Sequence, residues 1–165
     1  MTMSREGTSA VADATTATSM VPRWARNVSV QLAVAGLLVS AYLTFEHYVS
    51  AATLACPDTG VVNCVKVTTS SYAELAGAPM ALLGLAFFAA MTALCSPWGW
   101  SARGPWPGPA RLAGSTGGVV MVVYLVWVEL FRIGAICLWC TVVHALTLVL
   151  FGLVVVRQAL PPIED

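Results

Sequence analysis

Long apolar runs separated by short polar segments dominate the sequence. Four of the runs have the length of a membrane-spanning helix, and they cover residues 28–49, 78–95, 112–130 and 136–156. A bilayer core of roughly 30 Å needs about 20 helical residues at roughly 1.5 Å each. Pro79 suits the first turn of the second run, and Pro97 suits the segment after its end. The pattern predicts an all-α integral membrane protein with four spans and a longer loop between helices 1 and 2.

The composition fits a lipid environment rather than water. Of the 165 residues, 58% are apolar and 10% are charged, and the formal net charge is zero. Soluble domains carry roughly 25% charged residues, so this chain has too few to cover a globule of its size. Zero net charge also offers no electrostatic surface to nucleic acid. A soluble enzyme, a nucleic-acid-binding protein and a disordered protein are therefore all disfavoured.

The expected domain organisation is one membrane domain with a short tail at each end. Residues 1–26 are expected to form a disordered cytosolic tail, because they lack the charged-then-apolar order of a signal peptide. Residues 27–160 are expected to form the four-helix membrane domain, and residues 161–165 a short C-terminal tail.

The basic residues predict the orientation in the membrane. Cytoplasmic segments retain Lys and Arg. One side of the four spans holds Arg5, Arg23, Arg26, Arg103, Arg111 and Arg157, whereas the other side holds Lys66 and Arg132. We therefore expect a multi-pass protein of the cytoplasmic membrane, with both termini and the loop 96–111 in the cytosol. The loop 50–77 is then extracytoplasmic.

Three local patterns give further expectations. The segment 96–111 is rich in Pro, Gly and Trp, which predicts a loop without helix. Ser71-x-x-Glu74 resembles a capping box and predicts a short helical turn that Gly77 would end. Glu129 and Arg132 are expected to be solvated or interfacial charges at helical spacing.

The cysteines of the first exported loop can form a disulfide. Cys56 and Cys64 lie in a compartment where a disulfide persists, and they enclose the turn-forming run Pro-Asp-Thr-Gly. This turn can bring the two Cα atoms within roughly 7 Å. A structural staple and a redox pair are both consistent with this loop. Cys95 lies alone at the cytosolic end of the second span and is expected to be an inert buried thiol.

A second cysteine pair, Cys137-Leu-Trp-Cys140, begins the last span. Helical positions three apart share a face, and the positive end of a helix favours thiolate over thiol. The pair is therefore a candidate redox centre, although metal sites use the same spacing.

A polar stripe continues from this pair along the last span. At roughly 100° per residue, its members fall within about 120° of arc, and they are Cys137, Cys140, Thr141, His144 and Thr147. An ionisable His inside a span is by default a site hypothesis, whereas the alternative is a His that packs through a hydrogen bond to a neighbouring helix. His144 and Thr141 are therefore candidate ligand-binding residues.

The two dithiols face the same compartment, so thiol–disulfide exchange can pass an electron pair between them. The acceptor within reach of a pair in the membrane is a lipid-soluble quinone of the menaquinone or ubiquinone type. Attack of Cys140 on the quinone ring, with His144 as proton donor to a carbonyl oxygen, would complete the transfer. The sequence predicts no resident metal.

Four elements in order resemble the vitamin K epoxide reductase family, in particular its bacterial members. They are Cys56-x7-Cys64, the run Val67-Thr68-Thr69-Ser70-Ser71-Tyr72, the run Gly77-Ala78-Pro79-Met80-Ala81-Leu82-Leu83-Gly84, and Cys137-x-x-Cys140. Each element alone is unspecific, but the ordered combination is specific. It covers roughly residues 28–157.

The resemblance implies a four-helix bundle around a quinone, capped by the cysteine loop. It implies that Cys56 reacts with a thioredoxin-like extracytoplasmic partner, that Cys64 exchanges with Cys137, and that Cys140 lies closest to the quinone. Bacterial relatives act as thiol oxidases that re-oxidise a disulfide-donating protein and pass electrons to the quinone pool. Ser70 matches a family serine that supports the loop chemistry.

Two differences from the family pattern concern the quinone site. Animal relatives have a Tyr at the position of His144 and an Asn near Met80, and both contact the vitamin. We place Met80 and Ser70 with His144 among the quinone contacts, and the substitutions disfavour epoxide reduction as the natural activity. Some bacterial relatives carry a fused thioredoxin domain, whereas here we expect a separate partner protein.

Three alternatives compete with this interpretation. The disulfide-bond formation protein B type of oxidase has its C-x-x-C in the first exported loop, the reverse of the order here. A four-cysteine membrane protein that binds zinc or copper predicts stoichiometric metal. A structural scaffold with two inert disulfides leaves the intramembrane His144 without a role.

Overall fold

Helices make up most of the chain that the computed structural model describes, namely residues 23–49, 54–102 and 104–159. In chain order the helices are α1 (Arg23–Val49), α2 (Cys64–Thr68), α3 (Met80–Cys95), α4 (Pro97–Ser101), α5 (Pro107–Val128) and α6 (Leu138–Ala159). A two-stranded hairpin, β1 (Glu74–Leu75) and β2 (Ala78–Pro79), precedes α3, and a π-helical segment (Glu129–Ile133) follows α5.

Length and apolar composition confirm an all-α membrane protein. Within the described ranges, three helices are long and apolar enough to cross a membrane: Trp24–Val49, Pro107–Ile133 and Leu138–Gln158. In each of these helices, at most 28% of the most apolar 18-residue stretch is buried inside the protein. The remaining apolar surface faces outward, where lipid can cover it. Helix α3 is also apolar but has 16 residues.

The long helices pack as a bundle in which α1 contacts α3 and α6, and α5 contacts the same two helices. Close approach depends on glycines. Gly36 of α1 lies against the ring of Phe88, which is fully buried in α3, and a Cβ at Gly36 would overlap that ring. Gly118 of α5 likewise faces Phe87 and Thr147, so small residues let these backbones approach each other.

Two helices begin earlier than the hydrophobic pattern predicts. Helix α1 begins at Arg23, so residues 23–26 are helical and their assignment to a disordered tail was wrong. The rest of the two predicted tails, residues 1–22 and 161–165, lies outside the described residues. Helix α5 begins at Pro107, five residues before the predicted start.

The expectation of a helix-free segment 96–111 was also wrong, since α4 and the first turn of α5 fall within it. The Ser96 hydroxyl accepts a hydrogen bond from the Gly99 N–H at 3.1 Å, which caps α4. Buried Arg111 donates to the carbonyls of Leu94 and Gly99 at 3.0 and 3.1 Å, and its guanidinium lies 3.8 Å from the centre of the Trp100 ring. These tertiary contacts stabilise a short helix that the local composition does not favour.

The capping box at Ser71 and Glu74 was a wrong prediction as well. Glu74 and Leu75 instead pair antiparallel with Ala78 and Pro79. The turn between the strands has positive φ at Ala76 (52°) and Gly77 (81°), a conformation that a continuing helix cannot contain. The hairpin leads directly into α3 at Met80.

The connection between α5 and α6 is a π-helical turn closed by Gly134, whose φ is 65°. The N–H groups of Gly134 and Ala135 both donate to the Glu129 carbonyl, at 2.9 and 3.3 Å. The Glu129 side chain is buried inside the protein, so its assignment as a solvated or interfacial charge was wrong. Arg132 is exposed as expected, and its Nε donates to the Tyr72 hydroxyl at 2.8 Å.

Candidate functional site

A parallel backbone bridge joins the cysteine loop to the start of α6. Val62 pairs with Ile136, the Asn63 N–H donates to the Ile136 carbonyl at 3.0 Å, and the Ile136 N–H donates to the Val61 carbonyl at 2.9 Å. The bridge brings the next residue of each segment, Cys64 and Cys137, into one buried cluster. Sequence reasoning missed this bridge because a single pair of bridging residues leaves no periodic pattern.

The loop cysteines Cys56 and Cys64 are joined in a disulfide, with Cα atoms 6.1 Å apart. Asp58 stabilises the turn between them, since its carboxylate accepts hydrogen bonds from the Gly60 N–H at 3.1 Å and from the Asn63 side-chain amide at 3.2 Å. Both cysteines border a surface depression, but Cys64 is 1% exposed whereas Cys56 is only half-buried. An external thiol therefore has better access to Cys56.

The pair at the start of α6 consists of free thiols. Cys137 is fully buried, and its Sγ accepts a hydrogen bond from the Cys140 N–H at 3.2 Å. Backbone N–H groups at the first turn of a helix stabilise negative charge on such a sulfur. Cys140 is half-buried, so the two sulfurs occupy different environments.

Trp139, between the two cysteines, holds the cysteine loop in place. Its Nε1–H donates to the Ala55 carbonyl at 2.9 Å, and the Ala55 N–H donates to the Tyr42 hydroxyl at 3.2 Å. The rings of Tyr42 and Trp139 pack edge to face, with centroids 5.2 Å apart. The position of Trp139 between the two cysteines gave no indication of this contact, although a tryptophan N–H that leaves water usually takes a partner.

A cavity of about 100 Å³ opens between the bundle and the loop, and Cys140 and His144 of α6 line it. Met80 of α3 and Ser70 of the cysteine loop also line it. The Ser70 hydroxyl donates to the Val67 carbonyl at 2.8 Å, so it also holds the turn that follows α2. Four of the sequence-derived site residues thus share one cavity.

Thr141 and Cys137 do not line this cavity. The side chain of Thr141 is exposed on the outer face of α6, and its hydroxyl donates to the Cys137 carbonyl at 2.9 Å. Cys137 lies in the buried cluster with Cys64, against which Cys140 packs. The polar stripe therefore divides between the cavity, the buried cluster and the surface.

The cavity wall also contains polar residues that sequence reasoning did not connect to the site. Glu129 reaches it from the π-helical segment, and Ser40, His47 and Tyr72 reach it from α1 and the loop. Glu129 is 5% exposed, and His144 is 6% exposed. The sequence did contain an indication that Glu129 belongs to the site. This acidic residue interrupts an apolar span eight residues before Cys137, and an ionisable residue inside a span is by default a site hypothesis.

A sequence model of the vitamin K epoxide reductase family matches residues 27–155. The chain belongs to this family. The match includes both cysteine pairs, the hairpin and the cavity, and it confirms the resemblance seen in the sequence motifs. A comparison with curated proteins found no match.

Membership places the protein among membrane oxidoreductases that couple disulfide exchange to a quinone or to vitamin K. Members of the vitamin K epoxide reductase family generally react with thioredoxin-like partners and use quinones as substrates. The geometry described above is consistent with that general chemistry, since one disulfide, one dithiol and one cavity meet at the same end of the bundle.

Proposed function

We propose that this protein is a membrane thiol oxidase that re-oxidises a thioredoxin-like extracytoplasmic disulfide donor and reduces a membrane quinone of the menaquinone or ubiquinone type. The observation that carries the proposal is the bridge between Val62 and Ile136, because it holds the loop disulfide beside the cysteine pair of α6. Cys140 of that pair lines the cavity, in which we place the quinone ring.

The first step takes place at Cys56. A thiolate of the reduced partner attacks the more accessible sulfur, forms a mixed disulfide with Cys56 and releases Cys64 as a thiolate. The partner's second thiol then attacks the mixed disulfide, leaving the partner oxidised and the loop pair reduced. The half-burial of Cys56 and the nearly complete burial of Cys64 support this order.

The second step transfers the electron pair to α6. The Cys64 thiolate attacks Cys137 of an oxidised Cys137–Cys140 disulfide, and Cys56 then resolves the bond between Cys64 and Cys137. The loop disulfide is restored and the α6 pair becomes a dithiol. Support comes from the shared burial of Cys64 and Cys137 in a cluster with Leu43.

The third step delivers the electrons to the quinone. The Cys140 thiolate attacks a quinone ring carbon, and His144 donates a proton to a carbonyl oxygen. Met80 and Ser70 would contact the ring from the loop side. Ligand pockets enclose roughly 300 Å³ or more, so the smaller cavity requires side chains at its wall to move before a ring enters. Thr141 has no part in this proposal because its side chain points away from the cavity.

The membrane arrangement is part of the proposal. Helix α3 is taken as a fourth span, since 16 residues at about 1.5 Å each give about 24 Å and α4 continues beyond its end. Both termini and the segment 96–111 are placed in the cytosol by the basic residues. The cysteine loop then lies outside the cytoplasmic membrane, within one domain that spans residues 27–160.

The metal-binding alternative is not favoured, because Cys56 and Cys64 are joined to each other and cannot serve as thiolate ligands.

An anaerobic assay tests the proposed thiol oxidase activity. Purified protein, a reduced thioredoxin-like protein and a quinone are mixed, and quinone absorbance is followed for the wild type, Cys140→Ala and the control Cys95→Ala. We expect quinol formation with the wild type and Cys95→Ala only. Equal rates with Cys140→Ala, or no quinol with the wild type, would contradict the proposal.

A further inference from the structure

Glu129 is a buried carboxylic acid at the wall of the cavity, placed there by the π-helical segment. Its side chain is 5% exposed, and its backbone carbonyl accepts the N–H groups of Gly134 and Ala135. The double hydrogen bond fixes the backbone of the turn at this residue. Burial of a carboxyl group is unfavourable unless the group is paired or used, so its position at a reactive site calls for a role.

The carboxyl group lies near the cysteine pair, and Glu129 also lines the cavity. It lies near the Cys137 backbone N–H, and it is close enough to Cys137 and Cys140 for a negative charge on it to disfavour a thiolate at either sulfur. It shares the cavity wall with Cys140 and His144. The same carboxyl group is therefore close to the sulfurs and to the space where a substrate ring would react.

Oxidation of a dithiol by a quinone moves two electrons and two protons. His144 can handle one proton, and the other needs a second acid–base group near the sulfurs. Within the described ranges, the buried charged or imidazole side chains are Glu46, Arg111, Glu129 and His144, and of these four Glu129 and His144 line the cavity. Glu129 is thus placed to carry the second proton.

We propose that Glu129 is a catalytic proton carrier that accepts the thiol proton of Cys137 and returns it to a quinone oxygen. This inference rests on the proposed function. Cys140 bonds to a ring carbon, and its proton passes through His144 to one quinone oxygen. Deprotonated Cys137 then attacks the Cys140 sulfur, so that an S–S bond forms and the S–C bond breaks. The electron pair stays on the ring, and Glu129 delivers the second proton to give the quinol.

Other titratable groups face the same space. His47 and Tyr72 line the cavity from α1 and the loop, and His144 and Cys140 line it from α6. Arg132, three residues after Glu129, directs its Nε to the Tyr72 hydroxyl. The titration of all these groups contributes to the pH profile of the intact protein. The test therefore compares variants at Glu129 with a variant at an acidic residue outside the cavity.

The test is a single-turnover experiment with menadione as the quinone. Four full-length proteins are reduced beforehand and mixed with menadione from about pH 6 to about pH 9. They are the wild type, Glu129→Gln, Glu129→Asp and the control Glu74→Gln, which changes an exposed acid on the hairpin. We expect Glu129→Gln to slow quinol formation by about tenfold or more near neutral pH, with a rate that rises with pH as hydroxide replaces the missing base. Glu129→Asp should retain part of the rate, and Glu74→Gln should match the wild type.

Several results would overturn the inference. A Glu129→Gln protein with the rate and pH profile of the wild type removes the proton-transfer role. A rate reduced by the same factor at every pH assigns Glu129 to packing instead. Thiol titration of the reduced protein confirms in each variant that the cysteines are reduced, and thermal unfolding confirms that the variant is folded. If the wild type itself forms no quinol, the proposed function fails and this inference fails with it.

Discussion

The Asn63 N–H donates to the Ile136 carbonyl at 3.0 Å. Asn63 directly precedes the buried Cys64, and Ile136 directly precedes the buried Cys137. Asn63 also caps α2, since its side-chain oxygen accepts the Lys66 N–H at 2.8 Å. A single residue therefore both starts the helix that carries Cys64 and attaches it to the segment that carries Cys137. A covalent exchange between the two sulfurs needs only small movements when their backbones are held in this way.

A trapped disulfide should report this relationship. With Cys56→Ala, no resolving thiol remains in the loop, so Cys64 should stay linked to Cys137 once the two have exchanged. With Cys64→Ala, that species cannot form. Mass mapping of linked peptides after quinone-driven oxidation checks both variants, and Cys95→Ala serves as the control. A Cys56→Ala protein in which Cys64 and Cys137 are never linked would contradict the relay order.

Cys56→Ala should also separate two kinds of electron donor. We expect it to abolish turnover with a thioredoxin-like protein, because the accessible attack site is lost. Turnover with a small dithiol should persist, since a small reductant can reach the α6 pair directly. Steady-state quinone reduction with each donor measures the difference. Equal loss with both donors would show that Cys56 is needed for more than reaction with the protein partner.

The sequence predicted the helical class and the approximate positions of the long helices, because both depend on the length of apolar runs. It also placed both cysteine pairs, since turn chemistry and helical spacing are local properties. The hairpin at Glu74 and the bridge at Ile136 escaped prediction, because each involves only one or two pairs of residues and depends on tertiary contacts. The start of α5 was misplaced for a similar reason, since Arg111 stabilises the neighbouring helix α4 through distant carbonyls.

The candidate site shows the same division between local and tertiary information. Cys140 and His144 share the cavity as helical spacing suggests, because four residues make about one turn. Thr141 belongs to the same polar stripe but points outward, since one residue further along the helix turns the side chain by roughly 100°. Glu129 was misassigned because the π-helical turn that directs it inward has no sequence periodicity of its own.

Replacement of His144 by Leu should slow quinone reduction. The imidazole is buried at the cavity wall, and its loss removes a proton donor near the substrate oxygen. General acid catalysis contributes about 100-fold or more, so we expect a decrease in kcat of that order. Thr147→Val, a buried position one turn further along α6, provides the control. An unchanged kcat and KM with His144→Leu would mean that this histidine only packs.

Gly36→Ala should destabilise the bundle. The new methyl group would overlap the buried Phe88 ring, so α1 and α3 would have to separate or the ring would have to leave its position. Overpacking of this kind costs about 1–3 kcal/mol in the free energy of unfolding. Thermal unfolding in detergent should show a lower Tm. Gly152→Ala in α6, where a Cβ meets open space, should leave the Tm unchanged or raise it slightly.

Trp139→Phe should weaken recognition of the protein partner while sparing the chemistry. Phenylalanine keeps an aromatic ring beside Tyr42 but cannot donate to the Ala55 carbonyl, so the backbone before Cys56 loses an anchor. A hydrogen bond of this kind contributes about 1 kcal/mol, which corresponds to about a fivefold rise in KM for the partner. Turnover with a small dithiol should not change. Trp98→Phe, an exposed residue of α4, is the matched control. If Trp139→Phe instead lowers turnover equally with both donors, the indole acts on the cysteine pair itself rather than through the loop.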